Sequence, residues 1–129
     1  MSQENVDAVS RAWEAFERHD NEAIFPLYDP EVEVQYPFLD RVYRGLPGVQ
    51  EYFRDWLAVW DEFGSEVEEW IDAGDSVIAV MHSWGRGKQS GARVEERNAH
   101  VWMLRNGKLW RLRVYASRAE ALEAVGLED

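Results

Sequence analysis

Asn106-Gly107 constrains this chain more than any other dipeptide in it. The pair separates two runs of alternating residues in RNAHVWMLRNGKLWRLRVY, positions 97–115. Both residue types tolerate positive φ, which a two-residue type I′ turn requires at both central positions. Such a turn sets Arg105 opposite Lys108, and the pairing runs back from there. Ala99, Val101 and Met103 then share a face with Val114, Leu112 and Trp110. That face is apolar and is expected to be core. Asn98, His100, Trp102 and Leu104 share the other face with Tyr115, Arg113, Arg111 and Leu109. This second face is half polar, so helices are expected on one side of the sheet and a partner on the other.

The rest of the chain supplies the helices. Val6, Val9, Trp13 and Phe16 recur at helical spacing over residues 3–18. Ile24, Leu27 and Tyr28 mark a second short helix, ended by Asp29-Pro30. Glu31 to Tyr36 alternates as a half-buried strand, and 37–44 is expected to be irregular. Gly45-Leu46-Pro47 opens a third helix. Over residues 47–63 it places Val49, Tyr52, Phe53, Trp56, Trp60 and Phe63 on one stripe, with Gly64 as its stop. From Ser65 the period becomes two. Strands are expected at 66–72, 76–84, 92–104 and 108–116, and a final helix at 118–125. GRGKQSG joins two strands rather than a strand to a helix, so it is expected to be a hairpin loop and not a phosphate loop. The order α-α-β-α followed by four antiparallel strands defines an α+β fold in a single domain, 1–129.

Composition narrows the function. A net charge of −11 disfavours nucleic acid and anionic membranes, which need basic patches. The absence of cysteine removes disulfides, thiolate catalysis and Cys-based metal sites. No apolar run reaches the roughly 20 residues of a membrane span. MSQENVDAVS has neither a basic n-region nor an apolar h-region, so a cytoplasmic location is expected. Seven Trp are too many for one small core, and some are expected in a cavity or an interface.

Four stretches carry a family resemblance: AWEAFERHDNEAIFPLYDPEVEVQYP, YRGLPGVQEYF, IDAGDSVIAV and AHVWMLRNGKLWRLRVYASRAEALEAVGL. Together they resemble the SnoaL-like branch of the nuclear-transport-factor-2-like superfamily. The resemblance implies a cone-shaped α+β barrel, in which a curved, mostly antiparallel sheet wraps around N-terminal helices and leaves an internal pocket. It also implies either a pocket enzyme (isomerase, cyclase or hydrolase) or a non-catalytic ligand-binding or association domain, since fold does not decide function. The catalytic groups of the steroid isomerases would fall at Tyr36, Ala99 and near Ala12, and none of the three is retained. The Arg-x-Asp pair of the epoxide hydrolases becomes Arg97-Asn98-Ala99, which keeps the Arg alone.

The strand register nominates a site independently. If the Gly-rich loop closes symmetrically, Met81 faces Arg97 and Trp84 faces Val94. Arg97, Glu95 and Ser83 then point to the concave face. A guanidinium there needs an anionic partner, with Glu69 or Glu95 as its carboxylate. In this reading Arg97 orients a ligand carboxylate or enolate, and Glu69 or Glu95 acts as general base. Trp13, Tyr36, Trp56 and Trp60 form aromatic walls, with Ala99 beside them, suited to a flat apolar ligand. His19 is expected at a helix end, and His82 and His100 on the outward face. A one-residue slip would exchange the two faces. The two strand histidines lack a third ligand at metal-like spacing, so neither a metal nor a cofactor is expected. Homodimerisation is expected through an outward face of His100, Trp102, Arg111, Arg113 and Tyr115.

Overall fold

A computed structural model describes residues 2–18, 20–36 and 41–127, without the side chains of Ser2, Asn21 and Tyr36. In chain order they form α1 (Ser2–Glu17), α2 (Asn21–Ile24), a 3-10 turn (Phe25–Leu27), β1 (Tyr28–Tyr36), β2 (Arg41–Arg44), α3 (Gly45–Val59), β3 (Trp60–Asp72), β4 (Ser76–Gly87), β5 (Arg93–Arg105), β6 (Lys108–Tyr115) and α4 (Arg118–Ala124). Among the described residues one sheet forms, in the order β2-β1-β6-β5-β4-β3. Only the β1–β6 pairing is parallel. The fold is the expected α+β, and its sheet is open, with β2 and β3 as edges.

The turn at the centre forms as its residues dictate. Asn106 and Gly107 take φ of 54° and 76°, and Arg105 pairs with Lys108. Two residues further on, β6 carries a bulge. Leu104 pairs with Leu109, Met103 with Arg111, and Trp110 is the extra residue. Beyond it Trp102 pairs with Leu112 and His100 with Val114. The expected grouping of Val101 with Leu112 is therefore corrected by one residue.

A second correction follows in the β4–β5 hairpin. Met81 pairs with Asn98 and Trp84 with Glu95, one step from the symmetric closure. Both faces of β5 are covered, which is why alternation alone did not separate them. Trp102 and Leu104 join Val9, Ala12, Phe53 and Leu112 beneath α1 and α3. Ala99 and Val101 join Ile78, Ala121 and Leu122 beneath α4. A strand apolar on both sides needs helices on both sides.

α4 is held in place by its first turn. The Ser117 hydroxyl caps the helix by accepting from the Glu120 amide (3.1 Å), and the Glu120 carboxylate accepts from the Ala116 amide just before the cap (3.1 Å). At the other corner of the molecule, Arg105 donates to both carboxylate oxygens of Asp29 (3.1 and 2.9 Å) and to Glu31 (2.9 Å). This clamp ties the hairpin tip to the start of β1, and its guanidinium holds the Asp29 carboxyl below the usual carboxylate range.

The third helix is shorter than expected. It ends at Val59, and Trp60 begins β3. Asp61 is a bulge in that strand, since Trp60 pairs with Gly87 and Glu62 with Arg86. A bulge between them lets residues three apart share a face, so Trp60 and Phe63 keep a helix-like spacing while standing on a strand. Residues 41–44, expected to be irregular, form the edge strand β2. His19 lies outside the described residues. Among those residues no helix is long and apolar enough to cross a membrane.

Candidate ligand-binding cleft

Aromatic side chains from α1, α3 and β3 meet beside β4 and β5. α1 contributes Trp13 and Phe16, three residues apart on its inner face. α3 contributes Tyr52 and Trp56, four apart, and the first turn of β3 contributes Trp60 and Phe63. Their rings form a continuous belt. Centroids lie 5.6 Å apart for Trp13 and Phe16, 5.7 Å for Trp56 and Trp60, and 5.9 Å for Trp56 and Phe63, the last edge to face. These are the separations at which ring quadrupoles attract. The belt walls a solvent-open cleft.

The floor comes from the sheet. On the helix-facing side of β4 stand Met81 and Ser83, and on that of β5 stand Glu96 and His100, with Asn98 buried between them. His100 also lines a second, smaller hollow reaching Val9, Tyr28, Phe53 and Leu112. Burial lowers its pKa to about 4, so the imidazole is neutral near pH 7. Asn98 is 4% exposed. Its Nδ2 donates to Glu96 Oε1 at 2.7 Å, while its Oδ1 is buried with no hydrogen-bond partner among the described residues. The carboxylate acceptor settles which end of the amide is the donor.

The cleft mouth is acidic. Glu17, Asp61 and Glu62 surround it beside Trp13, Phe16 and Phe63. Arg86 approaches two of these carboxylates from the side, at 2.6 Å from Asp61 and 3.0 Å from Glu62. Among the described residues no group of three or more His, Asp or Glu side chains is placed to hold a metal ion.

Of the residues singled out in the sequence, Trp13, Trp56 and Trp60 line this cleft. The Tyr36 side chain lies outside the described residues. Ala99 is fully buried beneath α4, on the opposite side of the sheet. Arg97, Glu69 and Glu95 are also on that opposite side. Arg97 pairs across the sheet with His82, is 63% exposed, and donates to Glu68 (3.2 Å) rather than to Glu69. Glu68 is the extra residue of a second bulge in β3, which turns Glu69 toward α4, where it accepts from Arg118 at 2.8 Å. Glu95 Oε1 lies 2.7 Å from His82 Nε2. The structure thus brings none of these three to the cleft. The five residues assigned to one outward face also separate. His100 and Trp102 are buried under the helices, whereas Arg111, Arg113 and Tyr115 follow the other face. Arg113 is held by Glu33 at 2.5 Å.

Sequence reasoning missed Glu96 and His100 as floor residues. The alternation Val94, Glu96, Asn98, His100, Trp102 carried the signal, and the register error assigned it to the outside.

A profile described as "SnoaL-like domain" matches residues 9–112. The chain belongs to the SnoaL-like family. No curated protein matches it. Among solved structures this SnoaL-like chain is similar to a nuclear-transport-factor-2-like protein of unknown function from Burkholderia pseudomallei, with TM-score 0.80, 20% identity, and 95% of this chain and 98% of that one covered. It is also similar to TerC co-crystallised with polyporic acid, with TM-score 0.78, 22% identity and 95% and 98% covered. A third similar structure is a nuclear-transport-factor-2-like protein from Burkholderia thailandensis, with TM-score 0.78, 27% identity and 93% and 95% covered.

Proposed function

We propose that this SnoaL-like domain binds a compact or flat apolar small molecule in the cleft between α1, α3 and the sheet. The carrying observation is the belt of aromatic rings around a solvent-open cleft with a short polar floor. A mostly apolar concavity with a few convergent polar groups is the usual form of a small-molecule site. The similar fold of TerC, whose crystal holds polyporic acid, agrees with an organic ligand for this fold.

Binding is favoured over catalysis by the chemistry of the floor. A buried imidazole whose pKa has fallen to about 4 is a weak proton acceptor at neutral pH, since proton transfer works best when the base's pKa lies near the operating pH. His100 is suited to donating or accepting one hydrogen bond from the ligand. Titration with 2-naphthol, followed by tryptophan fluorescence, tests the reading. Saturable quenching that Ser83→Phe abolishes by filling the cleft is the expected result. Absence of saturable quenching, or quenching untouched by that substitution, would overturn it.

A further inference from the structure

The charges around the cleft specify more than its aromatic walls do. Among the described residues lining the cleft and its mouth, the charged groups are all carboxylates: Glu96 on the exposed part of β5, and Glu17, Asp61 and Glu62 at the entrance. Arg86, the cation nearest to them, is engaged by Asp61 and Glu62 from outside the lining. Asn98, between Glu96 and His100 on β5, donates its Nδ2 to Glu96 Oε1 at 2.7 Å and so holds that carboxylate in place. The rings around this floor present negative faces to whatever enters.

Every one of these features repels an anion and attracts a cation. An anionic ligand would lie beside Glu96 with no guanidinium or ammonium among the lining residues to receive it, because Arg97 stands on the other side of the sheet. A neutral apolar ligand would fill the volume but leave the carboxylates and the negative ring faces without a cation. We infer that the ligand class of this cleft is an apolar organic cation, a protonated amine or quaternary ammonium on a hydrocarbon or aromatic body. The cationic centre would lie among Trp13, Trp56 and Trp60 in the cleft that Glu96 also lines, and the apolar body would pack along the aromatic walls. This inference rests on the proposed binding function and names its ligand.

Three probes of one size class separate the possibilities: 2-naphthyltrimethylammonium, its neutral carbon isostere 2-tert-butylnaphthalene, and 2-naphthoate. Affinities measured by tryptophan quenching for the wild type, Glu96→Gln and Ser83→Phe form the experiment. Glu96 is solvent-exposed, so its amide variant tests charge without disturbing the core. The cation is expected to bind about tenfold tighter than its isostere, the range a partly desolvated ring–cation contact supplies, with 2-naphthoate weakest. In Glu96→Gln that preference is expected to shrink to about threefold or less, and rising salt to erode it further in the wild type. Equal affinities for cation and isostere, or a preference for the anion, would overturn the ligand class and leave the binding site standing. Cation binding insensitive to both substitutions would also overturn it, as general attraction to an acidic chain. If none of the three probes binds, the site itself fails.

Discussion

Trp60 lies across Gly85 on the helix-facing side of the sheet, so close that a β carbon on Gly85 would stand 2.8 Å from the indole Cε3. Glycine opposite a large ring leaves the space the ring occupies. Gly85→Ala is therefore expected to push Trp60 off the strand and into the cleft. The expected cost is about 1–3 kcal/mol in denaturant unfolding, as for other overpacked sites. Probe affinity should fall with it. An unchanged unfolding midpoint would show that the indole has room to move aside.

The two strand histidines respond to pH with opposite signs. His100 has a folded pKa of about 4, below its ordinary value of 6.5. Between those values the unfolded chain holds more protons, so stability rises with pH there. The contribution is fully present above pH 6.5 and is lost as pH falls toward 4, amounting to about 3 kcal/mol at most. His82 is raised, first by Glu95 and also by Glu66. Its contribution is present below 6.5 and is lost as pH rises through the raised value. Unfolding midpoints of wild type and His100→Gln between pH 7 and pH 5 check this. The variant's stability should fall less on acidification, and His82→Gln should fall more than wild type.

Trp102 is packed between Tyr28 and the helices, with its ring 6.1 Å from that of Tyr28. Trp102→Glu is expected to lose the fold, since it buries a carboxylate without a partner. Leu112→Ala, beside it on β6, is expected to cost about 2–5 kcal/mol. Circular dichroism melts of both variants would show the ordering. A folded Trp102→Glu protein would place that face outside after all.

Arg97 and Arg105 are a matched contrast. The first makes a single exposed ion pair, and such pairs contribute about 1 kcal/mol or less. The second makes a two-oxygen clamp on a carboxylate 11% exposed, and hydrogen bonds to charged groups contribute about 1.5–3 kcal/mol. Arg97→Met should be near neutral in stability and in probe affinity, whereas Arg105→Met should lower the unfolding midpoint clearly. Weakened probe binding in Arg97→Met would restore Arg97 to the site.

Much of the fold was legible because it rests on local rules. The Asn106-Gly107 turn, the α1 stripe, the strand of alternating Val32 and Val34, and the final helix all formed where their residues pointed. What was not legible depends on counting. One bulge at Trp110 and one step of slippage across the Gly-rich loop reversed the partners of β5. Neither has a strong local signature, and an apolar pattern on both sides of β5 removed the usual arbiter. The aromatic walls survived this error because helices α1 and α3 hold Trp13 and Trp56 independently of strand register. The floor did not, and Arg97 was placed inside in exchange for His100.

The three extra residues, Asp61, Glu68 and Trp110, are slack in an otherwise rigid frame. A deletion at any one of them would straighten its strand and leave every other side chain on its present side. β5 has no such slack against β4, where pairing runs without interruption from Arg93 to Met103. There a single deleted residue acts as a frameshift in space. It would turn part of the row Glu96, Asn98 and His100 outward, bring neighbours such as Arg97 inward, and so reverse the charge of the cleft.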